Sequence, residues 1–170
     1  PAFIEGTPME VIKNSAIDAC AQCSEAYDSK LSNHYTKFLC NTAFDILEYA
    51  ILNDKFEKLA LGSLLTGLGF GNSSTTLGHA LSYVYSNEGV AHGHALSFTT
   101  LVAHAFNNSI FHKRFESIVK KLNFKKLSLN LDLNMASEII LEDKKHLDNN
   151  PTPITKNEII RLLKEINLSQ

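Results

Sequence analysis

The sequence predicts an all-α fold, a bundle-like arrangement of seven or eight helices in which residues 1–170 form one domain. Apolar residues recur at close to 3.6-residue spacing over segments of helix length, with Asx, Gly and Pro clusters between them. The single alternating stretch, 124–134, has no second strand to pair with and reads as a loop. At 170 residues and 44% apolar content, the chain can bury one substantial core, and nothing in it demands a second.

Residues 1–8 read as an extended lead-in bounded by Pro1 and Pro8. A helix follows over 11–27, with Val11, Ile12, Ala16, Ile17, Cys20, Ala21 and Cys23 on the apolar stripe, and Asp28-Ser29-Lys30 ends it. Residues 33–52 make a second helix, Asn53-Asp54 a junction, and 56–68 a third helix. The glycine-rich stretch 66–74 predicts a turn, with Ser73, Ser74 or Thr75 as N-cap for a helix over 75–86. Asn87-Glu88-Gly89 closes that helix, and the next runs over about 91–106. Helices over 110–123 and 135–146 complete the middle of the chain, and Asp148 to Pro153 is a break. The last helix runs to about Ile166, opened by Thr155 and Glu158 at capping-box spacing.

A net charge of -2 gives no electrostatic reason to expect nucleic acid or an anionic membrane as partner. The pairs Lys113-Arg114, Lys120-Lys121 and Lys125-Lys126 read as solvated helix faces. No apolar run approaches membrane-spanning length and no signal peptide is visible, so a cytoplasmic location is expected. The chain opens on Pro1 rather than Met, which reads as a processed product or a fragment. Its three cysteines, Cys20, Cys23 and Cys40, suit reduced thiols. Cys20-Ala21-Gln22-Cys23 is formally a CxxC, but its flanks are helical on both sides, which favours small residues packing inside a helix over a redox or zinc site.

The residues with chemistry gather around 67–96. His79 lies in the first turn of one helix and His92 in the first turn of the next, thirteen residues on, so both imidazoles can face one cleft. Upstream, Asp18 and Gln22 stand four apart on one helix face. Two imidazoles, a carboxylate and an amide from three helices suit a borderline divalent ion such as Fe2+ or Zn2+, with a position left for water or substrate. The competing reading makes His79 and His92 core residues of a metal-free interaction module. The other histidines are weaker candidates: His94 points away from His92, His104 lies three turns along, and His34, His112 and His146 read as surface. Gly67-x-Gly69-x-Gly71 is no dinucleotide fingerprint, because a helix precedes it and Asn72 follows.

Several ordered motifs resemble the iron-containing (group III) alcohol dehydrogenases. Thr7-Pro8 and then Asp18-Ala19-x-Ala21-Gln22-x-x-Glu25-Ala26-Tyr27 are similar to the family's TP and DAxxHxxEAY. Gly69-Phe70-x-Asn72 and His79-Ala80-Leu81-Ser82 resemble its GFxN and HAxxH, His92-Gly93-x-Ala95 its PHGxA, and Asn149 to Pro153 its TNPRP. The likeness covers nearly the whole chain and implies the family's C-terminal, dehydroquinate synthase-like helical domain. It implies Asp18, His79 and His92 as metal ligands, with Gln22 in the column of a further His ligand. It also implies that Tyr83 stands where many members have a non-ligand His near the substrate, and that Phe70 lines the substrate pocket.

For the full enzyme the resemblance implies metal-assisted hydride transfer between NAD(P)H and a small aldehyde. NAD(P)H would be bound by an N-terminal α/β domain absent from these residues, leaving the fragment alone inactive; a homo-oligomer is compatible with it. The DAxxQ, HALSY and HGHA forms are most similar to a branch containing phosphonoacetaldehyde reductases. Glycerol dehydrogenases, which use zinc without the extra His, and dehydroquinate synthases, which begin the motif with Glu where Asp18 stands here, are the neighbouring alternatives.

Overall fold

The computed structural model of the chain describes residues 4–168, and the first three residues of the expected lead-in lie outside that range. Every regular element among the described residues is helical: α1 Met9–Asp28, α2 His34–Leu52, a 3-10 turn Phe56–Lys58, α3 Leu59–Phe70, α4 Leu77–Asn87, α5 His92–Asn107, α6 His112–Leu122, α7 Leu133–Glu142, α8 Lys144–Asn149 and α9 Lys156–Leu168. None of these helices is long and apolar enough to cross a membrane. The all-α expectation holds, and residues 124–132 are the loop read from the sequence. Glu88 pins that loop, its carboxylate accepting from the backbone N–H of Asn130 and Leu131 at 2.8–3.0 Å.

Two apolar clusters build the interior. In the first, Ile17, Cys20 and Cys23 of α1 pack with Phe44 and Leu47 of α2, Phe111, and Phe115 and Ile118 of α6. In the second, Leu77, Leu81 and Tyr85 of α4 pack with Val102 of α5, Ile140 of α7, and Ile159, Leu162 and Leu163 of α9. Helix α5 contributes Leu96 to the first cluster and Ala95 and Val102 to the second, so it joins the two halves. The three thiols are free and buried, as the packing reading expects, and burial pushes the Cys40 thiol up to about 12.

Most boundaries lie within two residues of the sequence reading, and three features depart from it in an informative way. The helix expected over 56–68 begins as a 3-10 turn and runs on as α3 to Phe70, because Thr66 and Gly69 are buried where α3 packs against α1 and α2. No nearby Ser or Thr caps α4; its N-cap, Thr76, makes no side-chain cap hydrogen bond. The expected helix 135–146 is two helices. Asp132 caps the first, accepting from Asn134 N at 2.9 Å, and Asp143 leaves the helical region and opens the second. The capping box at Thr155 and Glu158 is present, with Thr155 N donating to Glu158 Oε2 at 2.7 Å.

The break at 149–150 also positions the site. Asn149 Nδ2 donates to the Ser73 and Thr75 carbonyls at 2.8 and 3.1 Å, and Leu77 N donates to Asn150 Oδ1 at 3.4 Å. The C-terminal segment thereby holds the turn that leads into α4.

Candidate metal centre

Helix α1 is the base of the centre. Asn14, Asp18, Gln22 and Glu25 follow one another at helical spacing and share a face. The first turns of α4 and α5 press on this face, and each does so at a glycine beside its histidine. A Cβ at Gly78 would lie 2.5 Å from Glu25 Oε1, and one at Gly93 would lie 2.1 Å from the Asn14 carbonyl oxygen. Neither gap admits a side chain, so Gly78 and Gly93 set how near His79 and His92 come to α1.

The result is a convergence on one oxygen. Asp18 Oδ1 lies 3.7 Å from His79 Nε2 and 3.8 Å from His92 Nε2, and donor atoms of all three residues lie within 4.8 Å of one another. Both imidazoles use the other nitrogen elsewhere. His79 Nδ1 donates to Glu25 Oε2 at 2.5 Å. His92 Nδ1 faces Ser82 Oγ at 3.5 Å, and that hydroxyl gives its own hydrogen to the His79 carbonyl at 2.8 Å. In each ring Nε2 is therefore the nitrogen that faces Asp18, the nitrogen a metal would take in exchange for its proton. Glu25 also accepts from Gly78 N and, at 3.3 Å, from Thr76 N, so this carboxylate from α1 is what caps α4.

This donor set fits a divalent ion. Two donors each about 2.1 Å from one ion can lie at most about 4.2 Å apart, and both separations from Asp18 fall inside that limit. Two imidazoles and a carboxylate suit iron or zinc, and three protein ligands leave coordination positions open. The local field agrees. Burial opposes a charge on His79, but the Glu25 charge and the hydrogen bonds the ring donates to Asp18 and Glu25 outweigh it and lift its pKa to about 9. Burial likewise opposes charge on Glu25, yet His79, His104 and the Gly78 N–H hold its pKa below the usual range. Such surroundings favour a cation. On the open side, burial lowers the His92 pKa, and Asp18 offsets part of that.

The residues singled out from the sequence are not all placed alike. Asp18, His79 and His92 come together, the group of this kind found among the described residues. Gln22 stands beside them with Nε2 donating to Asp18 Oδ1 at 3.0 Å. The Tyr83 ring lies flat against His92, centroids 5.9 Å apart, and is 39% exposed. Phe70, at the end of α3, packs against the first apolar cluster. His104 is buried away from the centre, with Nε2 at 2.9 Å from Ser24 Oγ, and His94 Nε2 donates to the Lys125 carbonyl at 2.5 Å.

His146 overturns its surface reading. It is 8% exposed, stacks on His79 with centroids 6.2 Å apart, meets the Tyr83 ring at 5.8 Å, and bonds Asp143 Oδ2 through Nδ1 at 2.6 Å. The turn at 149–150 folds α8 back onto α4, which a reading of local polarity does not register. Glu25 was also passed over as a site residue, although its place seven after Asp18 puts it on the same helix face.

Residues 12–142 match the model of the Fe-containing alcohol dehydrogenase family, C-terminal. A 4-hydroxybutyrate dehydrogenase of Clostridium kluyveri is 33% identical over 114 residues, 59% of this chain and 31% of that protein. The sulfoacetaldehyde reductase of Bifidobacterium kashiwanohense, solved in complex with NAD+, superposes with a TM-score of 0.84 at 19% identity, over 97% of this chain and 52% of that one. An iron-containing alcohol dehydrogenase of Thermococcus thioreducens gives a TM-score of 0.84 at 20% identity, with 97% and 52% covered. At these identities the structural likeness is one of fold. The chain spans about half the length of the solved relatives and about a third of the Clostridium protein.

Proposed function

The chain belongs to the iron-containing alcohol dehydrogenase family, and from that premise we propose that it is the metal-holding helical domain of an NAD(P)H-linked reductase of small aldehydes, run in reverse as an alcohol dehydrogenase. The observation that carries this reading is the convergence of His79 and His92 on Asp18 Oδ1 from three helices. Asp18, His79 and His92 would hold Fe2+ or Zn2+. The ion, when bound, supplies Lewis acidity toward an aldehyde oxygen.

The chain's own residues do the rest. Gln22, through its hydrogen bond to Asp18 Oδ1, orients the carboxylate, and its amide is the further oxygen donor at hand. Tyr83 forms part of the open wall beside His92. Burial, with the charges of Asp143, Glu25 and Asp18, raises its pKa, so its Oη keeps a proton to offer the product oxygen. Phe70 supplies apolar surface to the substrate side. The balance is aldehyde, hydride from NAD(P)H and one proton to alcohol and NAD(P)+.

The 170 residues carry no dinucleotide-binding turn, so we assign NAD(P)H binding to an α/β domain outside them, and expect the chain alone to reduce no aldehyde. The substrate class follows from the relatives, a dehydrogenase of the short alcohol 4-hydroxybutyrate and a reductase of sulfoacetaldehyde; the sequence likeness to phosphonoacetaldehyde reductases adds a second short aldehyde.

The test is NAD(P)H oxidation by the full-length protein against a panel of short aldehydes, with the 170-residue chain alongside. Turnover by the full-length protein alone, abolished in His79→Ala, supports the reading. Turnover by the isolated chain, or full-length turnover that survives His79→Ala, contradicts it.

A further inference from the structure

We infer that Glu25 is a positioning residue that selects the metal-binding tautomer of His79, an inference that rests on the metal reading above. Donors outnumber acceptor oxygens around this side chain. Glu25 is 1% exposed, and its two oxygens face three hydrogens: the N–H of Gly78 on Oε1, and the N–H of Thr76 and Nδ1–H of His79 on Oε2. Only a group that accepts on both sides satisfies them all. Because Oε2 accepts at His79 Nδ1, the proton there is held, and Nε2, 3.7 Å from Asp18 Oδ1, is the nitrogen that gives up its proton to a metal. The same carboxylate caps α4, so the orientation of the ring and the position of the helix that carries it are fixed together. His92 has no such partner, only Ser82 Oγ at 3.5 Å.

Glu25→Gln keeps the shape and removes one acceptor. In one amide orientation its NH2 opposes the Gly78 N–H, donor against donor. In the other, NH2 donates to His79 Nδ1, which takes the proton from Nδ1 and leaves the ring's hydrogen on Nε2, toward Asp18. This second arrangement keeps the short Gly78 bond, gives up the longer one from Thr76 N, and closes the metal-binding nitrogen.

The experiment uses metal-free 170-residue chain titrated with Co2+, read by its visible absorption, with histidine side-chain nitrogen NMR on the same samples. Carboxylate partners of metal-binding histidines contribute ~10–100-fold in affinity, and Glu25→Gln should weaken Co2+ binding by that factor while His79 loses its Nδ1 proton and keeps the one on Nε2, the Nε2–H tautomer. Asn150→Ala is the control, since it removes the Asn150 bond to Leu77 N at the same helix end and leaves Glu25 and His79 untouched. It should lower the unfolding temperature and leave both the tautomer and Co2+ affinity in place. Wild-type affinity in Glu25→Gln, or equal loss in Asn150→Ala, overturns the positioning role while the metal reading stands. Wild-type protein that takes up no Co2+ overturns both.

Discussion

His79 and His92 face the same carboxylate oxygen from almost equal distances, 3.7 and 3.8 Å, yet they are held in opposite ways. His79 is buried, bonded through Nδ1 to an equally buried Glu25, and carried by a helix end that the same carboxylate caps. The His92 side chain is 37% exposed, lies against the Tyr83 ring, and has at Nδ1 only a long contact to Ser82. What places His92 is backbone: Gly93 sits against the Asn14 carbonyl, and His94 N donates to Asn14 Oδ1 at 2.8 Å. One side of the centre is thus fixed by a side-chain network and the other by the approach of two helix backbones. The side with Tyr83 and His92 is the one open to solvent.

This contrast is most exposed by truncation. His79→Ala leaves Glu25 buried without its cationic partner, and breaking a buried pair costs about 3–5 kcal/mol. His92→Ala removes a half-exposed ring and should cost below about 1 kcal/mol. Urea unfolding of the metal-free variants decides this, and equal losses would erase the distinction between the two sides. Both variants should lose stoichiometric metal.

Next in size are the glycines. Gly93→Ala drives a Cβ into a main-chain oxygen that has no rotamer to escape to, and overpacking of this kind costs about 1–3 kcal/mol. It should weaken metal binding through His92 without altering the His79 tautomer. Weakened metal binding with a shifted His79 tautomer would mean that the two sides are not independent.

An effect of similar size, but dependent on pH, lies behind Glu25, where the buried network continues to His104 and Asp28. Burial lowers the His104 pKa from its ordinary 6.5 to about 4 and raises that of Asp28 from 3.8 to about 6. His104 therefore contributes stability that is present above pH 6.5 and lost as pH falls through about 4. Asp28 contributes stability that is present below pH 3.8 and lost as pH rises through about 6. Their slopes oppose each other over the same window. Asp28→Asn should expose the His104 slope as a loss of about 2–3 kcal/mol between pH 6.5 and 4, followed by thermal or urea unfolding across pH. A variant as flat as the wild type over that window would contradict it.

The smallest change is expected at Tyr83, on the open side. Tyr83→Phe should leave stability within about 0.5 kcal/mol and metal content unchanged, and show itself only in turnover by the full-length protein. A loss of metal would place the hydroxyl in the coordination sphere.

Most of the fold was legible because helical periodicity and Asx, Gly and Pro punctuation are local signals, as at Asp28-Ser29-Lys30 and Asp148 to Pro153. The three converging residues were legible from spacing and resemblance together. What stayed hidden depends on chain segments far apart. The cap of α4 comes from Glu25 and Asn150, 51 and 73 residues from the groups they bond, so no local pattern announces it. His146 reads as polar surface among its neighbours, and only the return of α8 onto α4 buries it. The spacing of Asp18, Gln22 and Glu25 on one face was the signal that could have marked Glu25 in advance.

The most direct test of the account is the metal content of the 170-residue chain, purified without chelators or a histidine tag, beside Asp18→Ala. The account predicts near-stoichiometric iron or zinc in the wild type, and none in the variant with its helical content retained. A metal-free wild type that takes up neither Fe2+ nor Zn2+ when they are added would contradict it.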